Sequence, residues 1–296
     1  MSEKDSLQEQ LNLAMSLIRD SNPSLSECTF RNYRQCLLSF AKYVRENDQL
    51  ALQDTTVNQA VQYLNERKSK LQQKSLDQHR QAIQCFFHAN GKLKANEKIK
   101  KIRSLLKLKK DYYYYTTKQI QYICKFQSEE NALATQIAYA CGLRAHELLT
   151  LRKVNDPLQK QKNNGLKTTF IGREGVMYVT TSYGKIEREI LIPTEIATRL
   201  EARLLNKPKK TIDRKIVFFQ NYDINGGSKW SSSFSRASKH ALGWSLGAEA
   251  LRRTYIIERI VELRNYCPYD QAIETVREEL NISSVKKIED WLRKMG

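Results

Sequence analysis

Three separated stretches hold cations in settings that call for a partner. In ACGLRAHELLTLR, residues 140–152, Gly142 ends one helix and Arg144 opens the next. A cation at a helix N-terminus is opposed by the helix dipole, so Arg144 needs another reason to stand there. Glu147, three residues on, lies on the same helical face and can hold its guanidinium. In SYGKIEREILIP, residues 182–193, Lys185 sits just past a hairpin tip, where a flexible ammonium reaches into a groove. In GAEALRRTYIIERI, residues 247–260, Arg252 follows Leu251 in a helix whose other face carries Tyr255, Ile256 and Ile260. A guanidinium offers a planar fork of paired, charge-assisted donors that matches a phosphate, and lysine adds a mobile donor. The plainer reading is that Arg144 and Arg252 are only salt-bridge residues of their own domain.

The whole chain favours an anionic partner. Net charge is +18 over 296 residues, which points to nucleic acid over a merely solvated surface. From Glu249 to Gly296 nine acids balance nine bases, so the excess lies upstream. The six cysteines form no CxxC pair and mostly sit in apolar helical runs, which suggests free thiols rather than zinc or a disulfide framework. The start MSEKDSLQEQ does not read as a signal peptide, and no apolar run reaches about 18 residues. The expected setting is the cytoplasm of a bacterium, on DNA and away from membranes.

The elements that must position these cations are mainly helical. Gly and Pro are few, at 11 and 5. Helices are expected over 5–20, 26–46, 56–68 and from Ser75, making a compact domain over 1–91. In the second, Tyr33, Leu37, Phe40 and Val44 recur at spacings of three and four, with Ser26 and Thr29 available as caps. Residues 91–110 then carry nine Lys/Arg against Glu97, among them Lys98, Lys100, Lys101, Arg103, Lys107, Lys109 and Lys110. Such a run, placed in a linker over 92–115, repels itself and stands open without a polyanion, and laid along a duplex it neutralises phosphates. A simple solvated linker is the alternative. The four tyrosines of DYYYYTTKQI adjoin no arginine or histidine motif, which favours packing or contact with DNA sugars over nucleophilic chemistry. Thr116 or Thr117 caps a helix to about 126, and helices follow at 129–141 and 144–152. GVMYVTTSYGKIEREILIP alternates with period two around Tyr183 and Gly184, the pattern of a hairpin. Helices return from Thr194 to the end, interrupted by KIVFF at 215–219. The second domain, 116–296, is therefore expected to be α-rich with a small antiparallel sheet.

At these points the sequence resembles the tyrosine recombinase, or phage-type integrase, family. The first stretch resembles its Gly-Leu-Arg-x-x-Glu-Leu box, the second its Gly-Lys…Arg…Ile-Pro hairpin, and the third its Leu-Arg-x-Thr core. SECTFRNYRQCLLSFAKYV is similar to part of its helical, SAM-like core-binding domain. The resemblance spans roughly residues 24–292. It implies a DNA clamp in which Arg144 and Arg252 bind the scissile phosphate, Glu147 supports them, and Lys185 protonates the leaving 5′-oxygen. A tyrosine attacks phosphorus, and neither metal nor nucleotide cofactor takes part.

The family pattern breaks at the second arginine box and at the tail. Glu249 stands three residues before Arg252, where the family has histidine or lysine, and Arg253 stands where histidine is frequent. Leu280-Asn281-Ile282 replaces a Leu-Gly-His segment, so Ile282 takes the place of a phosphate-touching side chain. Counting along SSVKKIEDW puts Trp291 at the nucleophile position, and an indole N–H only donates. Tyr266 and Tyr269, in RNYCPYDQ, are candidate displaced nucleophiles, although 14 and 17 residues after Arg252 is short of the family spacing. Val285, Ile288 and Leu292 form an apolar stripe with Trp291 at its edge, suited to packing on this chain or on a neighbour. The resemblance implies exchange of that helix between copies on DNA. The expected function is DNA binding in site-specific recombination or integration of a mobile element. Strand cleavage is either retained through a displaced tyrosine or lost, with an active recombinase as partner. The alternative is a non-cleaving accessory or relaxase-like protein that binds an origin or site in plasmid or element transfer.

Overall fold

The computed structural model describes residues 3–106, 114–154, 169–182 and 186–293. Two compact units divide at Lys109 and Lys110. Among the described residues no helix is long and apolar enough to cross a membrane.

The first unit packs α1 (Glu3–Ser21), α2 (Glu27–Asp48), α3 (Val57–Arg67) and α4 (Gln73–Ala89) around one core. Local chemistry sets the boundaries. The Ser26 hydroxyl accepts from the Thr29 N–H at 3.2 Å, and Thr56 with Gln59 forms a reciprocal capping box. Leu37, Phe40 and Val44 from α2 are fully buried with Tyr63, Ile83, Phe86 and Phe87.

The basic segment after α4 does not stand open over its described part. Ile99 is buried in the core of this unit, with Leu93 and Ile102 packed beside it. The Gln84 Oε1 accepts the Ile99 N–H at 3.0 Å, and the Ser104 N–H donates to Gln73 Oε1 at 2.9 Å. Burying three apolar side chains outweighs the mutual repulsion of solvated lysines, which keep their charges in water. Lys98, Lys100, Lys101 and Arg103 consequently form an exposed row, with Lys101 within 3.4 Å of Asp77. Lys92 turns inward, donating to the carbonyls of Gln53 and Thr55. Lys107, Lys109 and Lys110 lie outside the described residues.

The second unit begins with α5 (Thr117–Cys124), opened by a Thr116–Gln119 capping box, and α6 (Glu129–Cys141). The next helix, expected over 144–152, is absent. A single 3-10 turn spans Glu147–Thr150, and the chain passes into β1 (Arg152–Lys153). Helix there would need the Glu147 side chain on a solvated face, but that carboxylate is buried and accepts the Arg144 N–H at 2.8 Å. β2 (Val176–Thr181) and β3 (Glu187–Ile192) complete a three-stranded antiparallel sheet in the order β1-β2-β3. After α7 (Thr194–Glu201) comes a second departure. Residues 204–213, expected to be helical, form β4 (Leu204–Asp213), paired antiparallel with β5 (Ile216–Tyr222). Pro208 is the reason, since it breaks a helix interior and is tolerated on an edge strand, here inside the register shift between Leu204 and Lys209. α8 (Gly227–Leu242), α9 (Glu249–Leu263), α10 (Tyr269–Glu279) and α11 (Val285–Arg293) follow.

Of the tyrosine run, Tyr115 is core. Tyr115 is fully buried, stacks on Trp244 with ring centroids 5.4 Å apart, and accepts the Leu246 N–H at 2.7 Å. Tyr114 is exposed, and Tyr112 and Tyr113 lie outside the described residues. Among the cysteines, Cys28 is exposed, so it does not belong to an apolar face.

Candidate nucleic-acid site

Gly142 makes the site possible. It closes α6 in the left-handed region at φ 59°, and a Cβ there would come within 2.7 Å of Leu280 and 2.9 Å of Tyr255. The chain therefore turns tightly between α6, α9 and the end of α10, bringing side chains from three segments, the loop after α6, β3 and α9, onto one carboxylate.

That carboxylate is Glu147, with no exposed surface. Its Oε2 lies 3.0 Å from Arg188 Nη2 and 3.7 Å from Arg252 Nη1, and its Oε1 lies 3.6 Å from Arg144 Nη1. Three arginines on one carboxylate leave the cluster at +2. Burial alone would raise the Glu147 pKa, but Arg188 and Arg252 outweigh it and hold the group at about 2. Arg252 is 1% exposed. It donates to the carbonyls of Gly142 and Leu280, each at 2.6 Å. Burial, with Arg188 and Arg144 nearby, lowers its pKa to about 9 against the pull of Glu147, so it stays charged at neutral pH. Arg188 is similarly spent on Glu279 O at 2.8 Å and on Glu147. Arg144 differs, because its side chain is 36% exposed and forms the open face of the cluster. The buried Nε of Arg252 has no hydrogen-bond partner among the described residues.

The structure thus gathers Arg144, Glu147 and Arg252. Lys185 lies outside the described residues. Glu249 is exposed in the first turn of α9, and its charge acts on both Arg252 and Arg253. Arg253 is half-buried, and burial lowers its pKa. Ile282 is buried with Leu280 and Ile288, and Trp291 is half-buried against the same cluster. α11 therefore lays its apolar stripe on its own chain.

Tyr266 and Tyr269 are not brought to the arginines. Leu280, at the C-terminal end of α10, touches Arg252, whereas Tyr269 opens that helix, roughly 16 Å away along its axis. Tyr266 follows the far end of α9, at least roughly 16 Å along the axis from Arg252, with its ring against Gly172. Tyr255 is buried and donates to Glu279 Oε2 at 2.7 Å, with its pKa raised well above the usual value by burial and Glu279.

Arg188, the arginine of the hairpin motif, was given no role at the site. Its signal was phase: in β3 it alternates in register with the inward Ile190 and Ile192, where a charge demands a buried partner. A second buried pair, Arg259 with Glu279 at 2.8 Å, locks α9 to α10. Among the described residues no cluster of His, Cys, Asp or Glu could hold a metal ion.

Acid should loosen both units. Burial holds His146 and His79 each at about 4, so they stay neutral in the fold. Their contribution is full above pH 6.5 and is lost as pH falls toward 4. Glu147 adds a second window, because its depressed pKa stabilises the fold above 4.5 and that gain, roughly 3 kcal/mol, vanishes as pH falls toward 2. Urea midpoints measured from pH 7 down to 3 should fall throughout, and a flat profile would contradict the burial described.

A helical unit is thus followed by an α-rich unit whose small sheet and helices set arginines on a buried carboxylate. Residues 20–90 match the phage integrase N-terminal SAM-like domain family. Comparison with curated protein sequences gives no match. Among solved structures, the XerH site-specific recombinase bound to its difH substrate is 15% identical with a TM-score of 0.60, covering 98% of this chain and 93% of that one. A lambda integrase dimer bound to a COC′ core site is 15% identical, TM-score 0.61, covering 98% and 77%. The Tn1549 transposon integrase in complex with a circular intermediate DNA is 12% identical, TM-score 0.55, covering 94% of each chain. The chain shares the fold of these tyrosine recombinases, and residues 20–90 of its first unit are similar to the SAM-like domain of phage integrases.

Proposed function

We propose that this protein binds double-stranded DNA at sites of recombination or integration of a mobile element and holds a backbone phosphate at Arg144 and Arg252 without attacking it. The observation that carries the reading is the pairing of a gathered Arg144–Arg188–Arg252 cluster on Glu147 with an apolar surround at Ile282 and Trp291. Arg144 makes the first phosphate contact, because it alone of the three reaches solvent. Arg252 engages once its Leu280 carbonyl partner gives way, and Lys185 is the third cation of the clamp. Glu147 keeps the guanidiniums charged and aimed. In a partly desolvated site such donors are worth far more than in water. The chain has no hydroxyl at the Trp291 position to use them for strand transfer.

Copies of the chain assemble on DNA in this reading, with α11 leaving its own cluster to seat its stripe on a neighbouring copy or on an active recombinase. The DNA-bound lambda integrase in the comparison is a dimer.

Duplex binding should weaken steeply with salt. Replacing Lys98, Lys100, Lys101 and Arg103 with glutamine should flatten the log–log slope by roughly 0.9 for each phosphate no longer neutralised. Salt-independent binding, or none, would refute the nucleic-acid reading.

A further inference from the structure

We propose that the β4–β5 ribbon is a second DNA-contact element, reaching into a duplex groove beside the phosphate cluster. This inference rests on the DNA-binding reading and adds a surface to it.

Register fixes what the ribbon shows. Lys210 pairs with Phe219 and Ile212 with Val217, so these four share one face. On that face Ile212 is 66% exposed and Phe219 63%, with Val217 exposed beside them. The opposite face is rooted in the domain. Asp213 accepts the Ser228 N–H at 2.9 Å at the start of α8, Gln220 donates to Ile224 O at 3.0 Å, and Phe218 is buried. At the base of the ribbon Asn221, in phase with Phe219, donates to Leu151 O at 3.0 Å. An apolar face held out on a rooted two-stranded ribbon is not left over from core packing.

Charge says what covers it. Lys207, Lys209, Lys210, Arg214 and Lys215 are all exposed, and the ribbon's single acid, Asp213, faces inward. Five solvated cations around an apolar strip would repel a second copy of this strongly basic chain and attract a polyanion. A two-stranded ribbon fits the major groove of B-DNA, where apolar side chains meet thymine methyl groups.

The tip adds a second observation. Arg214 and Lys215 both have positive φ, 50° and 69°, and they join strands paired up to Asp213 and Ile216. This is a type I′ turn, which favours Asn-Gly and disfavours two long side chains. The strain places two cations at the point of the ribbon. Its root lies beside the Arg144 cluster, because Asp213 holds Ser228 and the neighbouring Gly227 N–H donates to Ala145 O at 2.7 Å.

The turn supplies a clean test. Arg214→Asn with Lys215→Gly removes both charges while relaxing the backbone, so the melting temperature should hold or rise. Binding of the full-length variant to a linear duplex at near-physiological salt should weaken about tenfold, with a salt slope shallower by about 1.8. Phe219→Thr with Val217→Thr should weaken binding at an unchanged slope. Wild-type affinity and slope in both variants, while the wild type binds and the Lys98–Arg103 variant is impaired, would overturn the ribbon alone. An altered sedimentation coefficient with unchanged DNA affinity would also overturn it, assigning the face to protein contact. A wild type that binds no DNA would overturn the underlying reading as well.

Discussion

Glu147→Gln should cost the second unit about 3–5 kcal/mol, read as a lowered urea midpoint. The substitution keeps the volume and removes the carboxylate that ion-pairs with both Arg188 and Arg252, which are almost fully buried. The cluster goes from +2 to +3 with no added solvent to screen it. Backbone carbonyls of Gly142, Leu280 and Glu279 still accept hydrogen bonds, but they carry no net charge. Glu187→Gln is the control. Its pair with Arg152 is at least half exposed on both sides, so its removal should cost less than about 1 kcal/mol. Equal costs for the two variants would show that Glu147 is not the hub of the site.

Arg144→Ala should separate binding from folding. Its side chain is the most exposed of the three arginines, and its contact with Glu147 is 3.6 Å long, so stability should change by less than about 1 kcal/mol. DNA binding should weaken roughly 10- to 100-fold, the value of a charge-assisted hydrogen bond of about 1.5–3 kcal/mol. Arg144→Lys should restore only part of that affinity, because an ammonium keeps the charge and lacks the paired fork. Arg252→Ala should instead lose stability together with binding, since it leaves Glu147 and two carbonyls underpaired. Anisotropy titrations and thermal melts on the three variants check this, and full affinity in Arg144→Ala would remove that residue from the phosphate site.

Some of this was legible in the sequence because the determinants are local. Ser26 and Thr116 announce helix starts by hydroxyl chemistry within one turn, and the alternation through Val176–Ile192 announces a hairpin. What was missed depends on partners distant in sequence. Whether 144–152 is helix or turn hinges on Glu147 turning inward to Arg188, forty-one positions away. The docking of the basic segment hinges on Ile99 finding the core of the first unit. β4 was overlooked because Lys and Leu outvoted Pro208, whose exclusion from helix interiors was the better guide. At the site, the residue types of Arg144, Glu147 and Arg252 were readable, and their convergence was implied by the family resemblance. The sealing of Arg252 under Leu280 was not readable, because it is made by a backbone carbonyl.

In the proposed function the gathered arginines hold a phosphate that this chain does not attack. Full-length protein is incubated with nicked suicide duplexes from its own element, at concentrations where a gel shift shows the same duplexes bound. The products are then run on a denaturing gel. Bound DNA and no covalent protein–DNA adduct are the expected result. An adduct that forms with the wild type and disappears in Tyr266→Phe or Tyr269→Phe would contradict it.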